Sequence, residues 1–95
     1  MAGYVIGQVE ITDPETYKKY VEQVPATVAQ YGGEYLVRGG ATDTLEGEWP
    51  QRRTVVLRFP SVADAKAWHS SAEYEGPKAI RHAAANSDMI VVEGV

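Results

Sequence analysis

The chain is 95 residues long, carries 13 acidic against 9 basic side chains for a formal net charge of −4, and contains no cysteine. Such a length supports one hydrophobic core, given domains of roughly 100 to 150 residues, and the missing thiols exclude disulfides, zinc–thiolate centres, iron–sulfur clusters and a cysteine nucleophile. Charges of both signs are mixed along the chain and the Arg52-Arg53 pair is too small for a phosphate-binding stripe, which argues against nucleic acid and against an anionic membrane surface.

No apolar run comes near the ~20 residues needed to span a bilayer. Met1 to Tyr4 leads straight into a strand pattern without the basic flank and apolar stretch of a secretory signal, so the cytoplasm is the expected compartment. From Tyr4 to Ile11 the sequence alternates, with Val5, Val9 and Ile11 on one face of a strand and Tyr4, Ile6, Gln8 and Glu10 on the other. Asp13 then offers a side-chain oxygen to free amides and Pro14 suits the first helical position, so a helix starts here. Tyr17, Tyr20, Val21, Val24, Val28 and Tyr31 follow at spacings of three and four and share one face. Pro25 lacks the amide hydrogen owed to the Val21 carbonyl, which predicts a kink or a brief break.

Gly32 is placed for the left-handed conformation that ends a helix, and Gly33 releases the chain into a strand. In Glu34 to Arg38, Tyr35 and Val37 alternate with Leu36 and Arg38, and Gly39-Gly40 ends the pattern. The polar stretch Ala41 to Gln51 reads as a long exposed hairpin connection, a kind of loop often tied to function. Arg53 to Phe59, rich in Val and Leu, is the next strand, closed by Pro60-Ser61. Ser61 with Asp64 has the form of a capping box before Val62, Ala65, Trp68 and Ala72 at helical spacing. Gly76-Pro77 is expected to break this second helix, with a restart over Lys78 to Ala85 that turns Ile80, Ala83 and Ala84 inward and ends at Asn86. Met89 to Val95, apolar at nearly every position, reads as a strand covered on both faces.

The order strand, helix, strand, strand, helix, strand is that of a split βαβ sandwich: an α+β, ferredoxin-like βαββαβ fold with a four-stranded antiparallel sheet, with residues 1–95 as a single domain. Both helices of this arrangement pack on one face of the sheet. Ile6, Leu36 and Val56 on the other face predict cover by the sheet of an identical subunit, giving a homodimeric α/β barrel. A domain this small buries only about three fifths of the surface of its unfolded chain, so pairing is a general way to gain buried apolar area.

Several segments carry a resemblance: Asp13-Pro14 with Tyr17 and Tyr20, Tyr31-Gly32-Gly33, Arg38-Gly39-Gly40, Leu45-Glu46-Gly47, Phe59-Pro60-Ser61, Trp68, Ser71 to Tyr74, Arg81 and the ending Val92-Glu93-Gly94-Val95. Together, over nearly the whole chain, the sequence resembles the small bacterial proteins of the domain of unknown function 1330 family. The resemblance implies a dimeric α/β barrel, in a superfamily that also holds cofactor-free monooxygenases, lactone isomerases and haem-degrading enzymes. It implies no catalytic residue. Gly76-Pro77 departs from the uninterrupted helix expected after Tyr74.

Arg38, at a strand end beside a glycine pair, is a candidate to clamp a carboxylate or enolate in bidentate fashion. A salt bridge to Glu46 or Glu93, at a helix end or across a dimer, is the plainer alternative. His69 has the titration range of a general base, but successive helical residues point about 100° apart, so with Trp68 in the core His69 stands at the boundary with water. Tyr17, Tyr20 and Tyr31 form a core stripe by spacing, yet buried hydroxyls need partners. That points to a pocket with water, Arg81 or a ligand at its polar end and Trp68 as its apolar wall. Arg81 equally suits the exposed carbonyls of a helix end.

His69 and His82 are thirteen apart on separate helical pieces, so no metal and no cofactor is expected. There is no phosphate loop of the Walker or dinucleotide form, and Ser70 or Ser71 beside His69 on a helix is not a nucleophile–base geometry. The reading is a homodimer with one pocket per subunit between helices and sheet, lined by Tyr20, Tyr31, Arg38, Trp68 and Arg81, for a small acidic or aromatic metabolite. As an enzyme it would use His69 as base and Arg38 to hold developing negative charge, in proton abstraction or cofactor-free oxygenation. The alternatives are a non-catalytic binding or accessory module, and haem binding through a histidine.

Overall fold

A computed structural model describes residues 1–95. The elements in chain order are β1 (Gly3–Ile11), α1 (Pro14–Gln30), β2 (Glu34–Arg38), β3 (Arg53–Phe59), α2 (Val62–His69), α3 (Ala72–Ala84) and β4 (Ala85–Glu93). The strands form one antiparallel sheet in the order β2-β3-β1-β4, a ferredoxin-like α+β fold. Burial alternates along β1, with Gly3, Val5, Gly7 and Val9 turned to the helices and Tyr4, Ile6 and Gln8 to the other side. No helix is long and apolar enough to cross a membrane.

Asp13 caps α1 by accepting from the Thr16 amide at 3.3 Å and the Thr16 hydroxyl at 2.7 Å, and these bonds, the hydroxyl's first, hold its carboxyl below the usual carboxylate range. The break expected at Pro25 does not occur, and α1 is continuous to Gln30. The Val21 carbonyl, deprived of its intrahelical donor by the proline ring, accepts instead from Arg38 Nη2 at 3.3 Å. Beyond Gln30, Gly32 takes φ +76°, and the Gly33 amide returns to the Val28 carbonyl at 3.0 Å.

Punctuation of the second helical segment differs from the expectation. Gly76-Pro77 lies inside α3, which costs one hydrogen bond to the Glu73 carbonyl, and the Pro77 ring is buried in the core-facing side. The break falls at Ser70-Ser71, where side chains collect the orphaned carbonyls at the end of α2: Ser70 Oγ donates to Lys66, Ser71 Oγ to Trp68 and Lys78 Nζ to His69. Ser71 Oγ also accepts from the Tyr74 amide at 3.1 Å and so starts α3. The last strand begins at Ala85, directly from the helix, where a final helical turn was expected. It is covered on one face only, leaving Ile90 58% and Val92 41% exposed.

β2 and β3 pair with a register shift between Tyr35 and Val37. Tyr35 lies opposite Leu57 on the covered face, Val37 opposite Val56 on the open face, and Arg38 opposite Val55 on the covered face again. Leu36 is the extra residue. Strict alternation would have turned Arg38 outward with Leu36, and the bulge re-aims it toward the helices. The core beneath the helices is built on Val28, Phe59, Trp68 and Tyr74, all fully buried. Trp68 stacks 4.2 Å from Tyr74 and 5.4 Å from Phe59 by ring centroids, and its Nε1 donates to Thr27 Oγ1 at 3.0 Å.

Candidate functional site

Between the helical layer and the sheet, Gly7 on the central strand β1 leaves a gap. A methyl there would meet the end of Met89 at 3.4 Å and the Asp88 carbonyl oxygen at 4.0 Å, both ordinary contacts, so packing does not demand the glycine. The result is an inner cavity of about 30 Å³, room for roughly one water. Tyr17 and Tyr20 from α1, Tyr35 and Arg38 from β2, Arg53 from β3 and Arg81 from α3 supply its polar wall, and no carboxylate lines it.

The three guanidiniums are graded by depth, Arg38 at the exposed mouth, Arg53 half-buried and Arg81 only 3% exposed. Arg38 sits 4.7 Å over the Tyr35 ring as well as on the Val21 carbonyl. Arg53 lies against Gly39, where φ is +70° and a Cβ would overlap the guanidinium, and its Nε is buried with no partner. Arg81 Nε donates to the Tyr74 hydroxyl at 3.3 Å, and its terminal nitrogens reach Ser87 Oγ and, at 3.4 Å, His82 Nε2. The chain's two ion pairs, Arg52–Asp88 and Arg58–Glu34, involve none of these arginines. Arg81 is therefore a buried cation without a counter-charge, a costly arrangement.

Tyr20 and Tyr74 share a hydrogen bond of 2.7 Å between hydroxyls. Burial pushes the Tyr20 phenol far above its ordinary range, with Tyr74 adding to the effect, and pushes Tyr35 to about 12 against the pull of the Arg38 charge. Burial likewise raises Tyr17, opposed by Arg53 and Arg81. At neutral pH these three phenols are hydrogen-bond donors, not bases.

A second, open groove of about 370 Å³ runs between α2 and the edge strand β4, with a floor of Val5, Met89, Ile90 and Val91 and a rim of Lys66, His69 and Ser70. Burial lowers the His69 pKa, with the Lys78, Arg81 and His82 charges adding to it, which keeps the ring neutral at neutral pH. The groove and the inner cavity share Val5, Trp68 and Met89 as a common wall.

Of the residues predicted from sequence, Tyr20, Arg38, Trp68 and Arg81 line the inner cavity together. Tyr31 does not, because its hydroxyl donates to Glu73 Oε2 at 3.1 Å on the outside of the helix pair. His69 lies in the outer groove, so it and Arg38 stand on different cavities. Neither Glu46 nor Glu93 pairs with Arg38. Sequence reasoning passed over Arg53, although it shares the parity of Val55, Leu57 and Phe59 and hence their covered face. It also passed over Gly7, Met89 and the hydroxyl of Tyr74, which carry no local signal beyond strand and helix spacing.

Residues 2–95 match the family described as Domain of unknown function (DUF1330). None of the curated proteins matches the sequence. Among solved structures the chain is similar to RPA0582, a protein of unknown function from Rhodopseudomonas palustris, at 20% identity and a TM-score of 0.78 over 99% of this chain and 82% of that one. It is similar to a dimeric ferredoxin-like protein of unknown function from Jannaschia sp. CCS1, at 10% identity and a TM-score of 0.73 over 99% and 100% of the two chains. A third similar structure is SnoaB, a cofactor-independent oxygenase from Streptomyces nogalater, at 10% identity and a TM-score of 0.63 over 99% and 93%. At these identities the likeness is one of fold.

Proposed function

The chain belongs to the DUF1330 family, and on that premise we propose that it is a small-molecule-binding homodimer in which each subunit holds one ligand between its helical layer and its sheet. The observation that carries this reading is the convergence of Arg38, Arg53 and Arg81 on one cavity whose lining contains no carboxylate. The uncompensated buried charge of Arg81 lowers stability, and its convergence with two further guanidiniums on one cavity is the mark of a site more than of a core. A small acidic or aromatic metabolite fits: the guanidiniums receive the acid, and the tyrosines and Trp68 receive a ring.

Self-association is supported by the open face, where Ile6 lies between Val56 and Ile90 and Tyr4 beside Val92 in adjacent cross-strand pairs. Apolar pairs in the middle of a sheet face are what a second sheet covers, and the Jannaschia protein of like fold is a dimer. Binding is favoured over catalysis because the candidate base, His69, and the candidate clamp, Arg38, line separate cavities. Native mass spectrometry of freshly purified protein tests the whole reading. The expected result is a dimer mass carrying a retained small acid, with the acid lost and the dimer kept in Arg81→Met; an empty monomer at micromolar concentration would overturn it.

A further inference from the structure

The inner cavity has more donors than acceptors. Arg81 Nε and the Tyr20 and Tyr74 hydroxyls bring three protons to two phenol oxygens, and Tyr74 has no other partner. Arginine only donates, so the Tyr74 oxygen accepts from Arg81. If Tyr20 then donated to Tyr74, the Tyr74 proton would be left in a fully buried place with nothing to receive it. The opposite polarity sends the Tyr74 proton to Tyr20 and leaves the Tyr20 proton facing the cavity that Tyr20 lines. Arg53 Nε adds a second buried, unreceived donor on the same cavity. An acceptor oxygen completes this arrangement, and among three guanidiniums with no carboxylate in the lining an oxyanion answers the charge as well as the protons.

A space of about 30 Å³ accommodates the head of a ligand and not its body. The outer groove, with its apolar floor and about 370 Å³, lies across a wall of three residues. Two of them are held in place: Trp68 by its hydrogen bond to Thr27 and its stacking on Phe59 and Tyr74, Val5 by its branched side chain on the central strand. Met89 is different. It is unbranched, half-buried and on the edge strand, opposite Gly7, with its terminal methyl bordering the space that Gly7 leaves.

We propose that the ligand is an amphiphilic oxyanion whose carboxylate or enolate head enters the inner cavity, with its apolar body in the outer groove, and that the Met89 side chain is the plug that swings aside to admit it. This rests on the pocket reading above and narrows it to a charge and a shape. Lys66 and His69 then stand at the rim of the body site, not at the head.

Calorimetry and stopped-flow binding of naphthoate and the uncharged naphthamide to the full chain form the test. Naphthoate is expected to bind about tenfold or more tightly than naphthamide. Arg53→Gln brings the two together, and Arg38→Gln, at the exposed mouth of the cavity, shrinks the gap by about threefold. Met89→Ala speeds association of naphthoate several-fold without changing the preference, and Lys18→Gln, on the exposed side of α1, alters nothing. Equal binding of the two probes, a preference that survives both arginine variants, or an unchanged association rate in Met89→Ala overturns the proposal while leaving a pocket in place. Failure of both probes to bind overturns it too, and together with an empty native mass spectrum takes the pocket reading down with it.

Discussion

The two faces of the sheet are made by neighbouring residues of the same strands, and apart from Thr54 Oγ1, buried without a partner on the open face, each shows the problem opposite to the other's. On the covered face, polar groups are buried with too few partners: Arg81 without a counter-charge, Arg53 Nε without an acceptor, and a tyrosine pair with one proton to spare. On the open face, apolar groups lack cover. Ile6, Val56, Ile90 and Val92 cluster there, with the Arg52–Asp88 and Arg58–Glu34 ion pairs on the same side of the sheet. A lone subunit in water, with nothing bound, would be more stable with the two compositions exchanged. The difference teaches that the two departures call for separate explanations, the proposed ligand inside and the proposed second copy outside, and that each is open to its own perturbation.

The largest effect is expected on the open face. Ile6→Glu, which touches neither cavity, should convert the proposed dimer to monomer, at a cost on the order of 6 kcal/mol, since a two-fold interface meets the charge twice at roughly 3 kcal/mol each; sedimentation velocity reads it directly. On the covered face, Trp68→Ala removes the ring that joins Phe59, Tyr74 and Thr27 and should lower stability by about 3–5 kcal/mol in urea unfolding, with any partner loss secondary. Arg81→Met sharpens the contrast. If the guanidinium serves a ligand, the substitution leaves the ligand-free protein as stable or more so, by up to about 2 kcal/mol, while abolishing retention of the acid. A loss of stability beyond that range would make Arg81 a structural residue.

Alkaline titration gives a smaller signal of the same asymmetry. Tyr17, Tyr20 and Tyr35 are held protonated by burial, Tyr35 to about 12, against a reference of 10.0. Their folded pKa values are raised, so the stability they contribute is full below pH 10 and is lost as pH rises through the folded values. Phenolate absorbance from these three should therefore appear late, coinciding with a falling urea midpoint. The smallest effect belongs to Gly7→Ala: with room for the methyl, loss of chain flexibility in the unfolded state should add about 0.5 kcal/mol, while the narrowed cavity weakens naphthoate binding.

Much of this was legible locally. The Asp13 cap, the left-handed turn at Gly32 and the alternation of β1 and β3 are each dictated by a few adjacent residues, and the sequence reads them without ambiguity. Arg53 was equally legible, since its parity with Val55, Leu57 and Phe59 places it under the helices, and only its charge made it look like a surface residue. Gly76-Pro77 misleads for a related reason: the pair is a turn signal in isolation, but burial of the Pro77 ring outweighs one lost hydrogen bond, while the less conspicuous Ser70-Ser71 supplies three side-chain bonds that end one helix and begin the next. Tyr31 shares its helical stripe with Tyr20, yet a position at the end of α1 puts its hydroxyl within reach of Glu73 instead of the cavity.

What the amino-acid order determined alone was which elements form and, for the regular ones, which side chains share a face, because backbone sterics and periodicity act over a few residues. Only the tertiary structure decided what those faces meet. The bulge at Leu36 exists because β2 pairs with β3 in a shifted register, and it alone brings Arg38 to the pocket. Tyr20 and Tyr74 are 54 residues apart and meet only because α1 packs beside α3. Register and helix docking depend on contacts distant in sequence, and so the site, unlike the elements that carry it, is a property of the folded whole.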